Sequence, residues 1–278
     1  MRKSALVALA ILLIPSVAQA KVSSITRAQP LVQGRFSDGA GDQVSALLSD
    51  ANGFIAVGTV EGAPGDWLPN PALGGTDGFL THFSFAGLPT WTMRLGSASD
   101  EIATAATIAK SGEIWVVGAS ATQNELTSLT VWEISAVGAL LNTFQLQTPS
   151  IIYPHSIAES GAGFTITGDD FTTAISASGT FAPLKRAKPS PAKVTKLISF
   201  KGTTYSWRIY TGKGPLIGIP TFHPKVAQTI YYKVLNSNTT VKVAYQTATP
   251  PLFARYQKDI GIALISESNA GFALSLLK

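Results

Sequence analysis

Short apolar runs alternate with turns along the chain, and most of the turns close on glycine. Val44 to Leu48 leads through Ser-Asp-Ala-Asn to Gly53 and then Phe54-Ile-Ala-Val-Gly58. The phrase returns as Ile102 to Ile108, a turn to Gly112, and Glu113 to Gly118. It returns again as His155-Ser-Ile-Ala, a turn to Gly163, and Phe164 to Gly168. Looser copies are Val194 to Ile198 with Gly202 and Thr204 to Tyr210, and Ile260 to Ile265 with Gly271 and Phe272 to Leu277. Each copy predicts a hairpin, with glycine where the chain needs positive φ. The second strand of the first two copies is apolar on both faces, as in a strand covered from both sides.

A second pair of strands follows each of the first four copies. The pairs are Gly78 to Ser84 with Thr90 to Leu95, and Ser128 to Ile134 with Leu140 to Leu146, turning at Gly87 and Gly138. Then come Thr172 to Ser176 with Phe181 to Leu184, turning at Gly179, and Ile230 to Leu235 with Val241 to Gln246. Four strands per repeat predicts an all-β chain, a β-propeller of five four-stranded blades. The fifth copy has only two strands. Val22 to Thr26 and Leu31 to Phe36 are expected to complete it, closing the ring by pairing N- and C-terminal strands.

Composition narrows the chemistry. The chain has 278 residues and no cysteine, so disulfides, thiolate metal sites and cysteine nucleophiles are excluded. Only 13% of residues are charged, and 25 glycines with 16 prolines favour turns over long helices. Arg2 and Lys3, the apolar run Ala5 to Ile14 and Ala18-Gln19-Ala20 read as an export signal over residues 1–20. Residues 21–278 are then one propeller domain, secreted, periplasmic or held at the cell surface, with no membrane span after cleavage.

Gly53-Phe-Ile-Ala-Val-Gly58, Thr76-Asp-Gly-Phe-Leu80, Gly87, Trp91 and Leu95-Gly96 together resemble the SBBP-type β-propeller repeat. The second unit keeps that frame without a counterpart of Asp77, and the later units follow it in outline. The resemblance implies an extracellular or envelope-associated propeller and carries no defined catalytic residues.

In a propeller the long connections between the second and third strands, and between blades, share one face. Binding residues on a rigid scaffold usually sit on such loops. Charge is divided along the chain. Residues 21–184 hold five Lys/Arg against fourteen Asp/Glu, whereas residues 185–278 hold fourteen against two. Lys185, Arg186, Lys188 and Lys193 begin the basic half, which could hold an anionic polymer by salt-sensitive attraction or simply be a solvated linker.

Other candidates are loop acids, histidines and one tryptophan. Asp66, Asp77, Asp100, Asp169 and Asp170 are turn-forming acids, or calcium ligands, or the carboxylates of a glycan-active enzyme. His155 and His223 lie in loops, whereas His82 alternates with apolar neighbours in a strand. Trp67, between Asp66 and Leu68-Pro69, either stacks on a sugar or partner or folds back beneath its loop. No G-x-S-x-G elbow, D-x-D-x-D-G loop or zinc spacing is present. The expectation is a non-catalytic binding protein for an envelope polymer or surface protein, with no cofactor and no physiological nucleic-acid partner. The alternative is a glycan-active enzyme using the loop-face carboxylates, two or more of which would have to converge.

Overall fold

The computed structural model describes residues 22–27, 29–35, 42–62, 64–122, 125–186, 196–200, 203–210, 216–220, 229–233, 240–244, 253–257, 260–268 and 271–277. No helix of these residues is long and apolar enough to cross a membrane. The described residues form strands joined by turns and short loops.

The strands β1 (Val22–Arg27) and β2 (Gln29–Arg35) come first. The first meander then runs through β3 (Gln43–Ser49), β4 (Gly53–Glu61), β5 (Thr76–Ser84) and β6 (Pro89–Leu95). The second is β7 (Glu101–Ile108), β8 (Ile114–Thr122), β9 (Glu125–Ile134) and β10 (Leu140–Gln147). The third is β11 (Pro154–Ser160), β12 (Gly163–Gly168), β13 (Phe171–Ser176) and β14 (Lys185–Arg186). All three are antiparallel and pair in chain order.

The strands β15 (Lys196–Phe200), β16 (Thr203–Tyr210), β17 (Leu216–Pro220), β18 (Thr229–Lys233) and β19 (Thr240–Ala244) follow. With β1 added beside β19 they make a six-stranded sheet. The last strands, β20 (Phe253–Gln257), β21 (Gly261–Ser268) and β22 (Gly271–Leu277), are joined by β2 in a further four-stranded sheet.

Why the sheets stack follows from the period-2 side-chain alternation of a strand. Phe54, Ala56 and Val60 of β4 pack into a core with Ala263 and Ile265 of β21 and Phe272, Leu274 and Leu276 of β22. Ile55 and Val57, on the opposite face of β4, pack with Ile114 and Val116 of β8. Trp115, Val117 and Ala119 of β8 turn the other way, into a core with Phe164 and Ile166 of β12. A central strand is therefore apolar at every position because each face meets a different sheet. The outermost strand of the second sheet, β10, lies largely in solvent. This is a propeller-like stack of antiparallel four-stranded sheets.

The first strands of the first three meanders each carry a bulge at the same place. Ser45, Thr104 and His155 are the extra residues, and the pairs just before them are Val44↔Gly58, Ala103↔Gly118 and Pro154↔Gly168. A Cβ on Gly58 would stand 2.0 Å from the Gln43 carbonyl oxygen, and one on Gly118 1.8 Å from that of Ile102. The glycines of β4 and β8 thus make room for the backbone beside the bulge opposite them, whereas a Cβ on Gly168 would meet the Phe171 ring.

Several expectations change. Gly112 is at positive φ (107°) as expected, but Gly53 and Gly163 are not among the positive-φ glycines. They open strands, where a Cβ would meet the Phe83 and Ile175 carbonyl oxygens of the adjacent strand. The two N-terminal strands do not both complete the last sheet: β2 pairs antiparallel with β22, but β1 pairs parallel with β19. β20 supplies the fourth strand, and its short, Pro-flanked run hid it in the expected loop. The fourth sheet has six strands, because β17 forms where no strand is expected and β1 adds beside β19. Phe181 makes only an isolated bridge to Ile175, and Lys185–Arg186 takes the edge instead.

Gly118→Ala should be destabilising by about 2–3 kcal/mol, the cost of overpacking against unyielding backbone. Ala177→Ser, at an exposed turn, should leave stability unchanged. Thermal unfolding followed by circular dichroism checks both, and equal melting temperatures would contradict the role given to the bulge.

Candidate functional site

A buried ion pair lies where the β4–β5 connection returns to the first sheet. Asp77 in β5 and Arg94 in β6 are buried, and their side chains pair at 2.8 Å between Oδ2 and Nη1. The register Gly78↔Leu95 and Phe79↔Arg94 places them diagonally across neighbouring strands. The Leu73 and Gly74 backbone N–H groups donate to Asp77 at 2.9 and 3.1 Å. Arg94 Nε donates to the Asn70 carbonyl at 3.0 Å, and its Nη2 to that of Gly62. One ion pair thereby gathers both ends of the loop, with its donors and acceptors satisfied.

Trp67 lies beneath this loop, buried, with its ring edge-on to Phe79 (5.1 Å) and Phe272 (5.0 Å). Thr81 Oγ1 donates to its carbonyl at 3.3 Å. Of the two roles considered for Trp67, the structure has the plug, so its ring offers no stacking surface to a ligand. Asp66 beside it is exposed.

The next acids sit on the connection between the first and second sheets. Asp100 is exposed and accepts the Thr76 backbone N–H at 3.0 Å. Glu101 is buried and accepts both the backbone N–H (3.0 Å) and the hydroxyl (2.7 Å) of Ser97. Burial raises its pKa above the ordinary value of 4.5, the Ser97 bonds oppose that, and the charges of Asp77 and Asp100 add to the rise. Asp77, Asp100 and Glu101 are therefore neighbours, yet each is a hydrogen-bond acceptor for its own loop.

A second group gathers at one end of the third sheet. His155 and Asp169 approach to 4.0 Å between Nδ1 and Oδ1, and Asp170 pairs with Arg186. Asp169 also donates its backbone N–H to the Tyr153 carbonyl at 3.2 Å. These side chains are exposed, as is Lys185, and β14 brings its two basic residues against Thr172 and Phe171. The start of the basic half is thus interleaved with acid. Lys188, Lys193 and His223 lie outside the described residues. Among the described residues no group of three or more His, Asp or Glu could hold a metal ion.

His82 is a packed strand residue. It is buried, stacks on Trp91 at 5.4 Å between centroids, and meets Thr90 Oγ1 through Nδ1 at 2.5 Å and Asp50 through Nε2. Sequence reasoning missed Arg94 and Glu101. The signal for Arg94 was its place in an otherwise uncharged strand next to the strand carrying Asp77. Glu101 carried no signal, because only the fold reveals its burial.

Removing one partner of the buried pair, as in Asp77→Ala, should cost about 3–5 kcal/mol, because Arg94 is left buried and uncompensated. The double variant Asp77→Leu with Arg94→Met should recover much of that loss, which denaturant unfolding would measure. Glu101 gives a pH effect of defined sign. With its folded pKa raised, the native state keeps a proton that the unfolded chain loses above about pH 4.5. Stability should therefore fall with rising pH from there up to the raised value. Glu101→Gln, which has the shape and neutrality of the protonated acid, should match the parent in stability at low pH and lack that slope.

No family model and no curated protein matches the sequence. Solved structures with some likeness include a Bacteroides caccae protein of unknown function, at 11% identity and a TM-score of 0.39, covering 81% of this chain and 71% of that one. Myxococcus xanthus glutaminyl cyclase has 10% identity and a TM-score of 0.38 over 92% of this chain and 99% of its own. The Neurospora crassa Pan2 WD40 domain has 12% identity and a TM-score of 0.39 over 84% of this chain and 74% of its own. Likeness at this level carries no chemistry from those proteins to this one.

Proposed function

We propose that the chain is an exported, non-catalytic five-bladed β-propeller, related to SBBP-type repeat proteins, that holds an anionic envelope polymer on its loop face. In this reading residues 1–20 direct export, and β2 against β22 is the clasp that closes the ring. The six-stranded sheet is a four-stranded blade, β16 to β19, extended at its two edges by β1 and β15.

One observation carries the non-catalytic part. The loop carboxylates that could do chemistry are tied to the scaffold: Asp77 to Arg94 and two backbone N–H groups, Asp100 to Thr76, and Asp170 to Arg186. A general acid or base needs a lone pair or proton free to meet substrate, in a site that excludes water. Asp169 and Asp170 are exposed instead, and Asp77 is closed off. This favours binding over glycan hydrolysis. Support for an anionic partner is the exposure of Lys185 and Arg186 at the start of the basic half, which continues through Lys188 and Lys193.

The test is binding of purified residues 21–278 to isolated cell-envelope material at low and high salt, beside a variant with Lys185, Arg186, Lys188 and Lys193 each changed to Glu. Binding lost in salt and in the variant is the expected result. Binding indifferent to both would replace the polymer with a surface protein held by uncharged contacts. No binding at all would overturn the reading.

A further inference from the structure

The outer edges of the four-stranded sheets are not alike. β6 starts with Pro89, β14 is two residues long and both are basic, and β2 contains Pro30 and Arg35. Proline, charge and shortness are the usual ways of making an edge unattractive to another strand. β10, with the sequence Leu-Leu-Asn-Thr-Phe-Gln-Leu-Gln, has none of them. It forms the edge of the order β10-β9-β8-β7, and among the described residues no strand pairs with its outer side.

A bulge at Leu141 bends one end of β10, and from Asn142 to Leu146 it pairs regularly with β9. Asn142, Thr143 and Gln145 are exposed, while Phe144 and Leu146 pack partly against the third sheet. The ring of Phe144 also stacks on Trp115 at 5.8 Å, which holds the strand straight. Asn142 turns its side-chain amide back to Glu133 at 2.7 Å. Leu140 and Leu141, each 48% exposed, add apolar surface at the bulged end.

We propose that β10 is a self-association edge, on which β10 of a second copy of this chain pairs antiparallel across a twofold axis. The pairing joins two four-stranded sheets into one of eight strands. Two arguments select a second copy over a free peptide. An uncharged strand set against itself meets no like-charge repulsion, and twofold pairing satisfies both edges with the same contacts. A second copy also brings a strand already ordered, whereas a free peptide must be ordered on binding. This inference is independent of the ligand reading, since β10 is not on the loop face.

The test is sedimentation of residues 21–278 over a wide concentration range at low and high salt. The Thr143→Lys, Gln145→Lys variant runs alongside, with its thermal unfolding compared to confirm the fold. A reversible dimer, retained in salt and abolished by the two lysines, is expected. Because the chain has no cysteine, the double variant Thr143→Cys with Gln145→Cys provides a second readout: oxidation should give a covalent dimer, and Ala72→Cys in the exposed β4–β5 loop of the first sheet should not. Monomer at every concentration would overturn the proposal. So would a dimer untouched by the edge lysines, or one that dissolves in salt alone.

Discussion

A sheet buried on both faces cannot fold as an independent layer, and this one constraint organises the molecule. β4 has no face left for water: its even-numbered side chains belong to a core shared with β21 and β22, its odd-numbered ones to a core shared with β8. β8 repeats the arrangement one sheet further on. The first and second sheets each depend on both neighbours for the burial that offsets their chain entropy. The bulges at Ser45, Thr104 and His155, each beside a facing glycine, recur at the same place in the first three sheets.

Against that apolar background the charged residues are sparse and purposeful. Asp77 and Arg94 use a buried ion pair to hold a long connection whose sequence, rich in glycine and proline, has little inclination to order itself. Trp67 fills the space beneath it. The loop is thereby a rigid part of the scaffold. At the far side of the third sheet, His155, Asp169, Asp170, Lys185 and Arg186 stay in water with adjustable contacts.

The repeat frame was readable because hairpin chemistry is local. Alternation of apolar residues, a turn and a glycine identified β3 to β5 and β7 to β9 from short windows, and Gly87, Gly112, Gly138 and Gly179 lie at positive φ as the turns require. The partners of β1 and β20 were not readable, since they depend on strands far away in sequence. The site was less accessible still. Asp77 invited a ligand-binding role because acids in loops usually face solvent. Its neutralisation by Arg94 depends on a cross-strand register, and the burial of Glu101 on how three connections fold over it. Trp67 posed two local possibilities, and its packing against Phe79 and Phe272, both distant in sequence, distinguishes them.

The pairing of β2 with β22 sets an order of events on the biosynthetic time scale. β2 leaves the ribosome well before its hydrogen-bonding partner β22, which lies at the other end of the described strands. Until then the core shared by Phe54, Trp67, Phe79 and Phe272 lacks one wall, and the first sheet has an uncovered face. The first sheet is thus held short of its final packing until β22 has been made, and the pairing of β22 with β2, a contact between strands far apart in sequence, is the slow step that completes the shared core.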